Sequence, residues 1–273
     1  MGAHMAITIT QIDPVAFSIF GLDVRWYALA YVVSFVVGYF LFVRLMHRSN
    51  SGLDIPNKKM DDLLTAIILG VVLGGRFGYV LFYNLGYFIA HPLEIFAVWH
   101  GGMSFHGGLI GAIAATFWFG WKNRINSWRI LDLLAVVAPI GLFFGRIANF
   151  VNMELMGYPT SVPWAVEFVD KSGNVLIPAS HPSPLYEAFG EGVVLFVLMY
   201  CLYRYTRLRQ KPGALAGIMG MGYAVVRIVC EVFRVPDVQV GFLSGDWLTM
   251  GMTLSFVMFF CGFAIFMFAF RKK

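Results

Sequence analysis

Five arginines in this sequence, Arg25, Arg76, Arg146, Arg227 and Arg234, fall inside or at the ends of long apolar segments. An ionisable side chain in such a segment must face a cavity or a partner. Guanidinium is a planar fork of N–H donors that fits phosphate and carboxylate. In "GYAVVRIVCEVFRVPD", Arg227, Glu231 and Arg234 are four and then three residues apart, so a helix carries them on one face. Two readings are open. One is an intramembrane ion pair with Arg234 reaching outward. The other starts from two arginines facing one glutamate: a buried unpaired cation is costly, so a ligand anion is a natural third member.

The stretch Gly145–Gly157, "GRIANFVNMELMG", ends an apolar run that begins near Leu131 and adds Arg146, Asn149, Asn152 and Glu154. On a helix Arg146, Asn149, Phe150 and Met153 lie near one stripe. Asn152 and Glu154 align with it only in part, and the chain leaves the helix before Gly157. In "GVVLGGRFGYVLFYN", Arg76 stands among Gly70, Gly74, Gly75 and Gly78. These glycines imply close helix packing. Arg76 itself is either structural, bonded to a carboxylate or carbonyls, or a substrate contact. His106 opens an apolar helix in "WHGGMSFHGGLIGAIAA". It is either a packing residue or, at the depth of the arginines, a base, since an unperturbed imidazole titrates near 6.5. His91 and His100 are interfacial. Tyr27, beside Trp26 in "RWYALAY", is explained by an aromatic belt. "HPSPLYE" reads as a turn and a helix start, with Glu187 favourably near the helix dipole. Cys201, Cys230 and Cys261 sit in apolar segments without metal-ligand spacing, so no disulfide, metal or cofactor is expected.

The elements that must position these groups are membrane helices. Of 273 residues, 59% are hydrophobic, 17% aromatic and 13% charged, and mean hydropathy is +0.74. A soluble domain carries roughly 25% charged residues, so the expected class is an all-α integral membrane protein. A span needs about 20 apolar residues, and seven segments qualify: 26–44, 63–83, 105–121, 130–148, 186–204, 214–234 and 248–270. "MGAHM" reads as a cloning scar over residues 1–4, with His4 outside the chemistry, and 5–273 as one membrane domain. No cleavable signal is evident. The segment before Trp26 is too broken by Asp13, Pro14 and Gly21 to span, and is expected to lie along the interface.

Fourteen of the 20 lysines and arginines fall in the loops after spans one, three and five and in the tail. They include Arg44, Arg48, Lys58, Lys59, Lys122, Arg271, Lys272 and Lys273. Basic loops face the cytoplasm, so the N-terminus is expected outside and the C-terminus inside. Small loops, of which 149–185 is the longest, are expected on the outer face, and the basic cytoplasmic loops account for most of the net charge of +5. That orientation puts the polar groups of spans two, three, four and six in one leaflet. The phosphate available at that depth is a phospholipid headgroup.

"GRIANFVNMELMG" resembles the signature G-R-x-[GA]-N-F-x-N-x-E-x-x-G of the bacterial prolipoprotein diacylglyceryl transferases, matching it at Gly145, Arg146, Ala148, Asn149, Phe150, Asn152, Glu154 and Gly157. "RWYALAY", "LGGRFGYVLFYN", "GGMSFHGGLIG", "HPSPLYE" and "RIVCEVFRVPD" are similar to the family as well, in order, over residues 13 to 270. The resemblance implies transfer of the sn-1,2-diacylglyceryl group of phosphatidylglycerol to the lipobox cysteine thiol of a preprolipoprotein. It implies glycerol 1-phosphate as the second product, a bacterial inner-membrane location, and a site toward the outer leaflet. It carries functional roles onto Tyr27, His106, Arg146, Asn149, Glu154, Gly157, Arg227, Glu231 and Arg234. The implied partners are phosphatidylglycerol, lipobox signal peptides and the bilayer, with no nucleic acid.

In the mechanism so implied the substrate brings the nucleophile, and a free thiol with a pKa near 8.5 needs a base or a cationic field. His106 is the candidate base, with an arginine field as the rival. Arg146 and Arg227 would bind the phosphate and stabilise the leaving group, and Glu231 would orient Arg227. Asn149, Asn152 and Glu154 would hold the headgroup glycerol, with Tyr27, Arg76, Gly157 and Arg234 completing substrate binding. The competing class is a phospholipid or anionic-solute transporter using the same arginines. The seven spans show no evident repeated halves, which argues mildly against it. Ser104 and His106 are neighbours on a loop, an arrangement unlike a serine protease's nucleophile and distant base.

Overall fold

Each apolar segment is long enough to satisfy its own backbone hydrogen bonds as a helix, which the hydrocarbon demands. The computed structural model describes residues 6–48, 52–83, 85–97, 101–236, 241–245 and 247–271. Residues 1–4, expected to be a cloning scar and including His4, lie outside the described residues, as do His100, Lys272 and Lys273. Helices stand at all seven predicted segments. They are α1 (Trp26–Met46), α2 (Asn57–Tyr83), α4 (Phe105–Asn123), α5 (Ser127–Val151), the run Ser183–Tyr205, α8 (Ala214–Glu231) and α9 (Met250–Arg271). Six of them are long and apolar enough to cross a membrane; α4, whose first turns are rich in glycine, is not among the six. Between α2 and α4 lie α3 (Leu85–Ala90) and a 3-10 turn, Pro92–Phe96.

The run Ser183–Tyr205 is not uniform. It comprises α6 (Ser183–Glu187), a wider π turn (Ala188–Val194) and α7 (Leu195–Tyr205), and the Leu195 N–H donates back to the Gly190 carbonyl. Such π turns are frequent at functional sites.

The expectation of an all-α chain is corrected to a mostly helical one, since among the described residues seven short strands lie outside the long helices. Strands β1 (Ile7–Thr10), β4 (Val166–Val169) and β5 (Val175–Ser180) form one sheet, with β1 parallel and β5 antiparallel to β4. Phe168 is fully buried at its centre and packs with Met156, Ile9, Phe150 and Ile177. The turn between β4 and β5 is tied by Asp170, whose Oδ1 accepts from the Ser172 and Asn174 amides, each at 2.8 Å. The Asn174 side chain and those amides hold the Asp170 carboxyl below the usual aspartate range. The segment expected along the interface is a hairpin of β2 (Val15–Ile19) and β3 (Leu22–Arg25). Phe20 and Gly21 at its tip have φ of 51° and 81°, as a two-residue hairpin turn requires. A third pair joins β6 (Phe242–Ser244) to β7 (Leu248–Thr249). Such short strands are indistinguishable from loop in the sequence until a partner pairs with them.

The chain divides into two units, Leu45–Leu133 and the combination of Met1–Arg44 with Leu134–Lys273. Within the first, α2 and α4 meet along glycines. A methyl group built on Gly74 would collide with the Gly107 carbonyl, and one on Gly78 would lie 2.8 Å from the Gly107 Cα. Within the second, α8 and α9 meet in the same way at Gly217 and Gly262.

Candidate active site

The larger unit gathers an ionic cluster from three helical runs. Arg146, one turn from the end of α5, reaches the run that begins with α6. Its Nη1 lies 3.1 Å from Glu187 Oε2, and its Nε donates to Glu191 Oε2 at 3.0 Å. Arg227 on α8 bridges Glu187 through Nη1 and Glu231 through Nη2, the latter at 2.6 Å. Arg234 Nη1 lies 3.4 Å from Glu187 Oε1. Glu187 and Glu191 are fully buried, whereas the side chains of Arg146 and Arg227 keep 15% and 12% exposure. Neither arginine side chain is completely buried. On α1, the rings of Tyr27 and Tyr31 meet at 5.3 Å.

Two sequence expectations are corrected here. Helix α8 ends at Glu231, so Arg234 does not share its face; it sits in a bridge opposite Gly157. Nor is a cation left over in span six, because Glu187 supplies the second carboxylate for both Arg227 and Arg234. The ion-pair reading holds for Arg227 and Glu231, and the argument that a ligand must supply the missing anion lapses.

The start of α9 fixes Glu231. The buried Thr249 hydroxyl donates to Glu231 Oε1 at 2.8 Å, and any side chain on Gly251 would strike the same carboxylate. The "GRIANFVNMELMG" segment closes on itself as it leaves α5. The Glu154 amide donates to the Asn149 carbonyl at 2.8 Å, and the Glu154 carboxylate accepts from Asn149 Nδ2 at 3.1 Å and from Asn152 Nδ2 at 3.4 Å. Met153 and Leu155 take φ of 57° and 60° to make the turn. Gly157 then passes between two segments of the chain, its amide donating to the His181 carbonyl at 2.9 Å while the Tyr158 amide donates to the Phe233 carbonyl at 3.1 Å. A methyl group on Gly157 would press on Phe233 O and lie 2.9 Å from the His181 Cβ, so only glycine fits.

Arg76 and His106 belong to the smaller unit. Arg76 is clamped by main-chain carbonyls: Nε donates to Ile95 at 2.8 Å, Nη1 to Gly101 and Gly102, and Nη2 to Glu94. Its guanidinium also lies 5.1 Å from the Phe88 ring. The carbonyl-bonded alternative is thus the one found, and Arg76 secures the segment after α2. His106 stands in the first turn of α4, half-buried, with its ring edge-on to Phe105 at 5.4 Å. Ser104 caps that helix by accepting from the Gly107 amide at 3.2 Å.

The residues that sequence reasoning missed are Glu191 and Thr249, together with the role of Glu187. The available signal was "YEAFGEG", two glutamates four apart inside an apolar run. Glu187 and Glu191, like the five arginines, are charges inside an apolar segment.

A model of the prolipoprotein diacylglyceryl transferase family matches residues 14–268. The phosphatidylglycerol–prolipoprotein diacylglyceryl transferase of Rhodospirillum rubrum is 48% identical over 269 residues, covering 98% of this chain and 96% of its own. That of Sinorhizobium medicae is 50% identical, covering 92% and 90%, and that of Azospirillum brasilense 49%, covering 94% of each. With a match from end to end that includes every segment of the ionic cluster, the chain belongs to the prolipoprotein diacylglyceryl transferase family.

Proposed function

We propose that this transferase moves the sn-1,2-diacylglyceryl group of phosphatidylglycerol onto the lipobox cysteine thiol of a preprolipoprotein, the first step of lipoprotein lipidation. One carbon–sulfur bond forms and the glyceryl carbon–oxygen bond to phosphate breaks. The thiol proton passes to a base, and glycerol 1-phosphate leaves. The observation that carries this reading is near-half identity over almost the whole chain to proteins named for that reaction.

The cluster suits an anionic headgroup. Arg146 and Arg227 would hold the phosphate, and as charge builds on the departing oxygen their donors stabilise it more than they stabilise the ground state. Glu187, Glu191 and Glu231 would keep the two guanidiniums oriented. The knot of Asn149, Asn152 and Glu154 offers polar groups for the headgroup glycerol, and Tyr27 lines the approach from α1. Gly157 and Arg234 would brace the turn beside them. The base role falls to His106, supported by its chemistry and by the family resemblance; Arg76 acts as the brace of its own unit. We further propose seven spans, α4 being the seventh, in the inner membrane of a bacterium. The one-sided distribution of basic loops supports an outside N-terminus, a cytoplasmic C-terminus and chemistry in the outer leaflet.

The test is incubation of purified protein with labelled phosphatidylglycerol and a lipobox peptide, with and without its cysteine. A cysteine-dependent mass gain is expected; lipid movement without mass gain would favour a transporter. Replacing His106 with glutamine should depress transfer at neutral pH, and undiminished transfer would remove the base role.

A further inference from the structure

Before any ligand arrives the ionic cluster is already balanced. Arg146, Arg227 and Arg234 face Glu187, Glu191 and Glu231 through contacts within 3.4 Å. A phosphodiester brings one further negative charge. Admitting it to Arg146 and Arg227 without compensation would leave a net negative charge among buried groups inside a membrane, where desolvation is most costly. Buried acids escape that cost by binding a proton.

The three carboxylates are unequal in their claim to that proton. Glu187 touches three guanidiniums. Glu231 holds Arg227 with one oxygen and the Thr249 hydroxyl with the other. Glu191 has one partner, Arg146, on Oε2, and its fully buried Oε1 has no hydrogen-bond partner among the described residues. The charged or titratable groups that face it are Arg146 from α5, Glu187 from its own run, and Arg227, Tyr223 and Cys230 from α8. Arg146 is its direct counter-charge, and that is also the guanidinium a phosphate would share. As the ligand draws on Arg146, Glu191 loses part of its stabilisation and gains a like charge nearby.

We propose that Glu191 is the proton-binding group of the donor site, so that binding one phosphodiester monoanion is coupled to uptake of one proton by the Glu191 carboxylate. The inference rests on the donor-lipid reading above and adds to it a stoichiometry and a residue. The reaction balances: carboxylate and proton become carboxylic acid, with the proton drawn from solvent. The acid's O–H then occupies the orphaned Oε1 edge.

The experiment is calorimetric titration of the full chain in phosphatidylcholine nanodiscs with short-chain phosphatidylglycerol, repeated in buffers of different ionisation enthalpy. Wild type should take up about one proton per lipid, with affinity falling about tenfold per pH unit through the coupled range. Glu191→Gln, already neutral, should bind without uptake and with affinity independent of pH. A wild type that binds the lipid and lipidates the cysteine peptide without proton uptake overturns the inference and spares the donor reading. Uptake that persists in Glu191→Gln places the proton elsewhere and also overturns it. If neither lipid binding nor peptide mass gain occurs, the donor reading itself falls, and the inference with it. Should Glu191→Gln fail to fold, Glu191→Asp, which keeps a titratable carboxyl on a shorter arm, should shift the pH range over which uptake occurs, and an unshifted range overturns the assignment to Glu191.

Discussion

Glu187→Gln probes the centre of the cluster. The side chain is fully buried and touches the guanidiniums of Arg146, Arg227 and Arg234. Glutamine keeps the shape but turns one oxygen into an amide donor facing guanidinium donors, and the cluster passes from balanced to one positive charge in excess. Breaking a buried ion pair on one side costs about 3–5 kcal/mol. The amide retains one acceptor, so about 3 kcal/mol is expected. At 1.4 kcal/mol per tenfold, that is about a hundredfold in the population of the native arrangement. Two guanidiniums aimed at the leaving phosphate would lose their support, and kcat should fall about 10²-fold, the scale of losing one oriented donor. The KM for phosphatidylglycerol should not rise, because excess positive charge favours the anion. Purified variant and wild type are compared by initial rates on a lipobox peptide across donor concentrations, and by thermal inactivation in the same detergent. Glu187→Asp, which keeps the charge on a shorter arm, should recover part of kcat. Wild-type kcat and thermal midpoint in Glu187→Gln would refute the claim that this carboxylate holds the arginines.

Gly157→Ala should cost about 1–3 kcal/mol as an overpacked crossing, because the new methyl presses on the Phe233 and His181 main chain; a normal thermal midpoint would contradict it. Arg76→Lys replaces a fork bound to four carbonyls by a point charge. A drop in thermal stability and faster amide exchange over Pro92–Ala97 are expected, whereas normal stability with a raised donor KM would return Arg76 to substrate contact. Asp170 has a depressed carboxyl in the fold. Its stabilisation of the β4–β5 turn is therefore present above the ordinary aspartate range and lost as pH falls through the lower folded value. Limited proteolysis at Ser172–Gly173 should rise on acidification, and in Asp170→Ala should already be high at neutral pH.

Much of the helical framework was legible because hydrocarbon imposes one local rule, an uninterrupted run of apolar residues closing its own hydrogen bonds. The ends of α1, α2, α4 and α9 fall within a few residues of the expected spans except at the polar start of α2. The glycines of α2 and α4 marked a close helix contact, since a missing side chain in an apolar helix has few other uses. The strands were not legible: β1 pairs with β4 across about 160 residues, and no local pattern encodes that partner. The cluster was half legible, with three arginines and Glu231 standing out as charges in apolar segments. Glu187 read as a carboxylate favourably near a helix dipole, and neither Glu191 nor Thr249 drew notice.

By itself, then, the sequence determined that this chain lives in a membrane, where its helices run, and which family its motifs resemble. Each of these follows from residues close together in the chain or from their order along it. Tertiary structure alone decided who neutralises whom. Glu187 and Glu191 meet Arg146 from 41 and 45 positions away, and Glu187 meets Arg227 from 40. That pairing turned an apparent surplus of positive charge into a balanced cluster. Charge compensation depends on distance and burial, and both are set by how helices pack rather than by the spacing of residues along any one of them.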